Sequence, residues 1–252
     1  MSNSVNISDV LSFCDQLLNP ADFKDYVPNG LQIAGREQIS KIVSAVTASQ
    51  PVIDQAVSLG ADLLLVHHGY FWKNEPPELT GMKKKRIKTL LEADINLVAY
   101  HLPLDFHPEV GNNAWLAELL GVEVEQRFGH ANLAICGSMP ESISVDELSK
   151  RLSQQLQRHP MAVGPMEKPL KRIGICSGAA EDMIAEAKSL GCDAFISGEI
   201  SERTTHYARE EDIVYFSAGH HATERGGVRL LGDRLAAEFS LEHVFVDDNN
   251  PV

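Results

Sequence analysis

The segment Leu63-Leu64-Leu65-Val66-His67-His68-Gly69 runs four aliphatic residues straight into two imidazoles and a glycine. A buried apolar strand ending this way needs partners for both rings, because an unsatisfied polar group is costly there. Neighbouring side chains on a strand point to opposite faces. At the strand end, where Gly69 lets the chain turn, each ring can address its own ion, and two ions about 3.5–4 Å apart suit that arrangement. A second segment, His101-Leu102-Pro103-Leu104-Asp105, holds a carboxylate whose two oxygens can bridge two ions. Asp105 is the candidate bridge, and His101 is either a ligand or a group that orients one. The third segment, Gly219-His220-His221-Ala222-Thr223-Glu224-Arg225-Gly226-Gly227, brings His220 and Glu224 into a strand–turn–helix passage. Its glycines allow the close backbone approach a site needs. The bland alternatives are hydrogen-bonded loop histidines and a glutamate placed for the helix dipole. Three such segments in one chain favour the site.

Three imidazoles and two carboxylates, with no thiolate, suit two divalent ions of the Zn, Fe, Mn, Co or Ni kind better than Ca or Mg. Two such ions carry +4 and Asp105 with Glu224 return −2, leaving roughly +2 to attract phosphate or another oxyanion. Water bound to such ions has a pKa near ~7, which supplies hydroxide at neutral pH.

The elements that must position these residues alternate. Strands are expected at 41–48, 61–66 and 95–100, with helices at 51–59, 82–93 and 112–120, the last closed by Gly121. The rhythm returns with strands at 172–176, 194–196, 213–216 and 241–246, and helices at 180–190, 201–209 and 225–239. This pattern predicts an α/β fold of largely parallel sheets with flanking helices. Ligand sites in such sheets lie beyond the carboxyl ends of the strands. Residues 128–169 break the rhythm with Pro140, Pro160, Pro165 and Pro169 and hold one amphipathic helix, 145–156. They read as a connecting segment between a first lobe, 1–127, and a second, 170–252.

The lobes resemble each other. Sliding the sequence by 131 residues lays Pro51–Asp62 over Asp182–Asp193, and six of twelve positions agree. A slide of 119 lays Ile95–Asp105 over Val214–Glu224, where each copy ends a strand in a histidine followed four residues later by a carboxylate. An internal duplication makes one site shared by two lobes plausible. The first alignment also places Glu199 over His68. Glu199 is therefore expected to reach the cleft as a proton acceptor or as the partner of a ligand.

The chain has 252 residues and a formal net charge of −13, from 35 Asp and Glu against 22 Lys and Arg. That sign repels a phosphate backbone and argues against general nucleic-acid binding. No signal peptide and no membrane span are visible, and the four scattered cysteines lack the close pairs of a redox or thiolate metal site. A reduced, cytoplasmic setting follows. Lys83-Lys84-Lys85-Arg86 reads as a solvated helix face, Tyr70-Phe71-Trp72 as a cover for the site or a packing contact, Asn29 as a turn residue, and Asn112-Asn113 as a helix start.

Taken with Pro28-Asn29-Gly30-Leu31-Gln32, these segments resemble the dinuclear metal-centre proteins known as GTP cyclohydrolase I type 2 homologues. The resemblance runs from about Asp25 to the carboxyl terminus. It implies metal ligands at His67, His68, Asp105, His220 and Glu224 with His101 close by, two related α/β lobes, and a ring-shaped homohexamer. The expected function is a metal-dependent hydrolase acting on a nucleotide-like or phosphorylated small molecule, with Glu199 or His101 moving protons. The competing class is a non-enzymatic protein for metal delivery or regulation.

Overall fold

In the computed structural model, residues 3–252 are described. They form, in chain order, β1 (Val5–Asn6), α1 (Ile7–Leu18), β2 (Gly30–Ile33), β3 (Gln38–Ile39), β4 (Lys41–Thr47), α2 (Gln50–Ser58), β5 (Leu63–His68), α3 (Gly81–Glu92), β6 (Asn96–Ala99) and α4 (Leu102–Phe106). There follow α5 (Asn112–Leu120), β7 (Glu123–Phe128), β8 (Ala134–Ile143), α6 (Val145–Leu156), β9 (Met161–Val163), β10 (Leu170–Ile175), α7 (Ile184–Ser189) and β11 (Ala194–Ser197). The last elements are α8 (Glu202–Glu210), β12 (Val214–Ser217), α9 (His220–Thr223), α10 (Arg225–Phe239) and β13 (Glu242–Phe245). The chain divides into two compact units, one running to Leu104 and resuming at Gly227–Asn249, the other comprising Asp105–Gly226 and Asn250–Val252.

The first unit carries a five-stranded sheet in the order β13-β4-β5-β6-β2. β13, β4, β5 and β6 are mutually parallel, and β2 closes the edge antiparallel to β6. Val43, Leu64, Val66, Leu97 and Ala99 on one face pack with Val52, Ile53 and Ala56 of α2 and Ile87 and Leu90 of α3. Ser49 starts α2 by accepting from the Val52 N–H, which satisfies a donor the first turn leaves open. The second unit carries a six-stranded sheet, β7-β8-β10-β11-β12-β9. Here β10, β11 and β12 are parallel, and β8 and β9 flank them antiparallel. Leu148, Leu152 and Leu156 of α6, at helical spacing, are buried in its core with Ile173, Ile196 and Phe216. α6 opens on a Ser144-x-x-Glu147 cap, the Ser144 hydroxyl accepting from the Glu147 N–H at 3.1 Å.

The mixed α/β fold agrees with the expectation. The expected boundaries do not. Residues 128–169 are no linker, because β8, α6 and β9 supply one flank, a helix layer and an edge of the second sheet. β13 does not close the second lobe's sheet but pairs in parallel with β4. Prolines lead into β9 and β10 rather than breaking the domain, which is the edge and strand-start use open to a residue without an N–H.

The duplication is visible in the register. Ile42 faces Leu63 in the first sheet and Ile173 faces Ala194 in the second, each pair 131 residues from its counterpart. The shared carboxylates explain why. Asp62 Oδ2 accepts from the N–H groups of Ser40 and Lys41 at 2.8 and 3.0 Å, and Asp193 Oδ2 accepts from those of Lys171 and Arg172, both at 3.0 Å. Each aspartate thus pins the start of one strand to the start of the next.

Burial opposes the Asp62 charge, but hydrogen bonds from Ser40 and Lys41 and the Arg36 guanidinium prevail and lower its pKa. A depressed carboxylate stabilises the fold above its unfolded pKa and loses that contribution as pH falls through the folded value. Asp62→Asn should therefore lower stability by about 1–3 kcal/mol at neutral pH, leaving buried donors poorly matched. Denaturant midpoints should show the gap to the parent protein narrowing in acid.

Candidate metal centre

β5 delivers His67 and His68 at its carboxyl end, His67 fully buried and His68 partly so. His67 Nδ1 lies 3.0 Å from the Tyr100 carbonyl oxygen. A carbonyl can only accept, so Nδ1 carries the ring proton and Nε2 the lone pair suited to a metal. His68 Nδ1 lies 3.1 Å from Thr47 Oγ1 on the neighbouring strand, and the two imidazoles stand 4.6 Å apart. His101 follows β6. Its backbone N–H donates to Asn29 Oδ1 at 2.7 Å, and its Nδ1 sits 2.7 Å from Asp25 Oδ1. Asp25 Oδ2 accepts from Asn29 Nδ2 and from the Leu102 N–H, both at 3.0 Å. Burial works against the Asp25 charge, yet the bonds from His101, Asn29 and Leu102 and the neighbouring imidazole lower its pKa. One nitrogen of each of His67, His68 and His101 lies within 4.8 Å of the others, a group that could hold a metal ion.

In the second unit, β12 runs through Gly219 into α9 and α10, placing His220 and Glu224 four residues apart, with His220 Nε2 3.2 Å from Glu224 Oε1. The other ring nitrogen, Nδ1, is 2.6 Å from Glu199 Oε1 at the end of β11. Burial alone would lower the His220 pKa, but the carboxylates of Glu224 and Glu199 outweigh it and raise it to about 9. Gly178 has a left-handed backbone, φ +66°, and a Cβ there would strike Glu224 Oε1. Only glycine gives that carboxylate its place at no steric cost. Asp105 Oδ1 accepts from Asn112 Nδ2 at 2.8 Å and from Ser177 Oγ at 3.0 Å, while Asn113 Oδ1 receives the Ser177 N–H at 2.7 Å. Ligand oxygens of the buried Asp105 and Glu224 lie within 4.8 Å of one another. Two buried carboxylates so close repel unless a cation or proton joins them. The donor chemistry in both units fits divalent metal.

Every expected site residue is thus placed within one unit or the other: His67, His68 and His101 together, and Asp105, His220, Glu224 and Glu199 together. Glu199, expected on alignment alone, reaches a candidate ligand directly. Asp25, Ser177 and Gly178 carried no expectation. Asn29 was read as a turn residue and Asn112 and Asn113 as a helix start. α5 does begin at Asn112, but all three side chains also hold site residues in place. The aromatic triplet divides: Tyr70 is buried with its hydroxyl on the Ala48 carbonyl at 2.7 Å, whereas Trp72 stands edge-on to His101 at 5.1 Å and 5.8 Å from His68. Lys83, from the basic run, bonds Glu75 at 3.3 Å and lies 5.2 Å from the Phe71 ring centre, so it ties down the loop after the histidines.

Fold and site together define a class: an α/β protein of two related units whose strand ends carry imidazole and carboxylate sets able to hold metal. The chain belongs to the Duf34/NIF3 (NGG1p interacting factor 3) family, whose model matches residues 5–251. A relative from Neisseria meningitidis serogroup A, bearing the name GTP cyclohydrolase 1 type 2 homolog, is 51% identical over 243 residues, covering 96% of this chain and 98% of its own. The solved protein ybgI, described as of unknown function, superposes with a TM-score of 0.94 at 45% identity, covering 98% of this chain and all (100%) of its own. A solved protein from Thermus thermophilus gives 0.88 at 31% identity, with the same coverage. Among the described residues, no helix is long and apolar enough to cross a membrane.

Proposed function

We propose that the ligand sets of both units serve one dinuclear centre, and that the protein is a metal-dependent hydrolase of a nucleotide-like or phosphorylated small molecule. The observation that carries this reading is the pair of buried carboxylates, Asp105 and Glu224, each held by its own neighbours within 4.8 Å of the other. That arrangement is costly without cations and favourable with them. His67, His68, Asp105, His220 and Glu224 are the residues that would hold the two ions. The ions, of the Zn, Fe, Mn, Co or Ni kind, would supply activated water and polarise the bond attacked.

The chain's own residues set the geometry of that chemistry. Tyr100 fixes the His67 tautomer; Asp25 and Glu199 fix the rings of His101 and His220 through Nδ1. A proton arriving at His101 or His220 meets a carboxylate already bonded to the ring, so each couple can hold or pass one. Trp72 beside His68 and His101 offers an aromatic surface to a planar substrate. The names of the relatives point to a guanine nucleotide; the proposed homohexamer rests on the family resemblance and the proposed cytoplasmic setting on the scattered cysteines.

The test is turnover of a panel of nucleotides and phosphoesters by protein reconstituted with each metal. Metal-dependent release of product from at least one member is expected. Full metal occupancy with no turnover across the panel would move the chain to the metal-carrier class.

A further inference from the structure

Cys136 and Cys192 are 56 residues apart in sequence, yet their sulfurs stand 3.2 Å from each other in the second unit. Cys136 lies on β8 opposite Gly174 of β10, and Cys192 lies two residues before the start of β11. Gly174 borders the Cys192 sulfur. A Cβ at that position would come to 3.4 Å from Cys192 Sγ and 3.0 Å from the Phe195 ring. The spacing does not suit a shared metal: bonds of about 2.3 Å in a tetrahedral site hold two thiolate sulfurs roughly 3.7 Å apart. It suits a pair poised to bond to each other.

We propose that Cys136 and Cys192 form a reversible dithiol–disulfide couple whose oxidant is a small hydroperoxide. Both side chains are buried, which excludes bulky disulfides as exchange partners and leaves an oxidant near water in size. The contact with the Cys192 sulfur outweighs burial and, with the Arg172 guanidinium, brings the Cys136 pKa down to about 7. The same contact raises that of Cys192. Cys136 is accordingly the attacking thiolate. It displaces hydroxide from hydrogen peroxide, forming a sulfenic acid as the O–O bond breaks, and that hydroxide takes up the proton Cys136 released on ionising and leaves as water. The Cys192 sulfur then attacks that sulfur; the S–S bond forms, the S–O bond breaks, and the leaving hydroxide takes the thiol proton as water. Two electrons pass from the dithiol to the peroxide, which ends as water.

The oxidised form would tie β8 to the turn ahead of β11, the strand that ends beside Glu199. Cys14 and Cys176 take no part, as burial drives their thiols upward, Cys14 to about 12.

The experiment treats folded protein with hydrogen peroxide, quenches with a maleimide under denaturing conditions, and maps peptides without reductant. The expected product is one intramolecular cross-link between the Cys136 and Cys192 peptides, reversed by dithiothreitol, with Cys14 and Cys176 still alkylated. Cys192→Ser should stop the cross-link and leave a sulfenic acid at Cys136 that a 1,3-dione traps. Both thiols remaining alkylatable in the parent protein, or a cross-link that instead includes Cys14 or Cys176, would overturn the proposal.

Discussion

His67→Ala and Glu224→Gln proteins should each bind their divalent ions at least about 100-fold more weakly than the parent, beyond the 10–100-fold typical of losing a supporting partner. Any hydrolytic activity should fall with them. His67 is fully buried with its Nδ1 on the Tyr100 carbonyl, so its truncation also leaves a void and an unanswered carbonyl. Glu224→Gln is the cleaner variant, because it keeps the shape that Gly178 accommodates while removing a full negative charge. Elemental analysis after dialysis, with thermal melting as a fold control, gives the comparison. Parent-level metal content in a well-folded Glu224→Gln protein would remove that carboxylate from the ligand set, and the proposed centre with it.

Asp25→Asn and Glu199→Gln are expected to behave differently from those two. Both should retain the ions but release them to a chelator roughly 10–100-fold faster, as carboxylates that orient imidazoles in and around a metal site do. The bonds they remove, at 2.7 and 2.6 Å, hold the Nδ1 side of the His101 and His220 rings. An amide of the same shape can present the wrong hydrogen-bonding atom and allow the other tautomer. The rate of metal loss is the decisive readout, since a residue that merely supports the fold would shift the melting temperature and leave exchange unchanged. Equal exchange rates in parent and variants would strip both carboxylates of the positioning role.

Much of this was legible in the sequence for identifiable reasons. The helices at 112–120, 145–156 and 225–239 have the bounds expected of them, because amphipathic spacing and caps such as Gly121 and Ser144 speak locally. Strand ends marked by adjacent histidines were equally plain. β2, β7 and β8 were missed for the opposite reason. β7 is exposed along most of its length and β2 alternates only briefly, while β8 buries Ala134, Ile135 and Cys136 but carries Gly137 and Pro140 and runs out into exposed residues. The positioning residues were harder still. Asp25 and Asn29 lie more than 70 residues from His101, and Ser177 lies 72 from Asp105. Their roles arise from packing between distant segments, which no local pattern encodes. Glu199 escaped that limit only because the duplicated half placed it over a histidine.

The pairing of β13 with β4 has a further consequence, for synthesis. Glu242 lies beside Lys41, so an edge of the first sheet waits for a segment some 200 residues downstream. A nascent chain emerging from the ribosome can complete all but the last three residues of the second unit while the first still lacks α10 and its parallel edge. The unpaired side of β4 would be the aggregation-prone surface during that interval, and the part begun first is the part completed late.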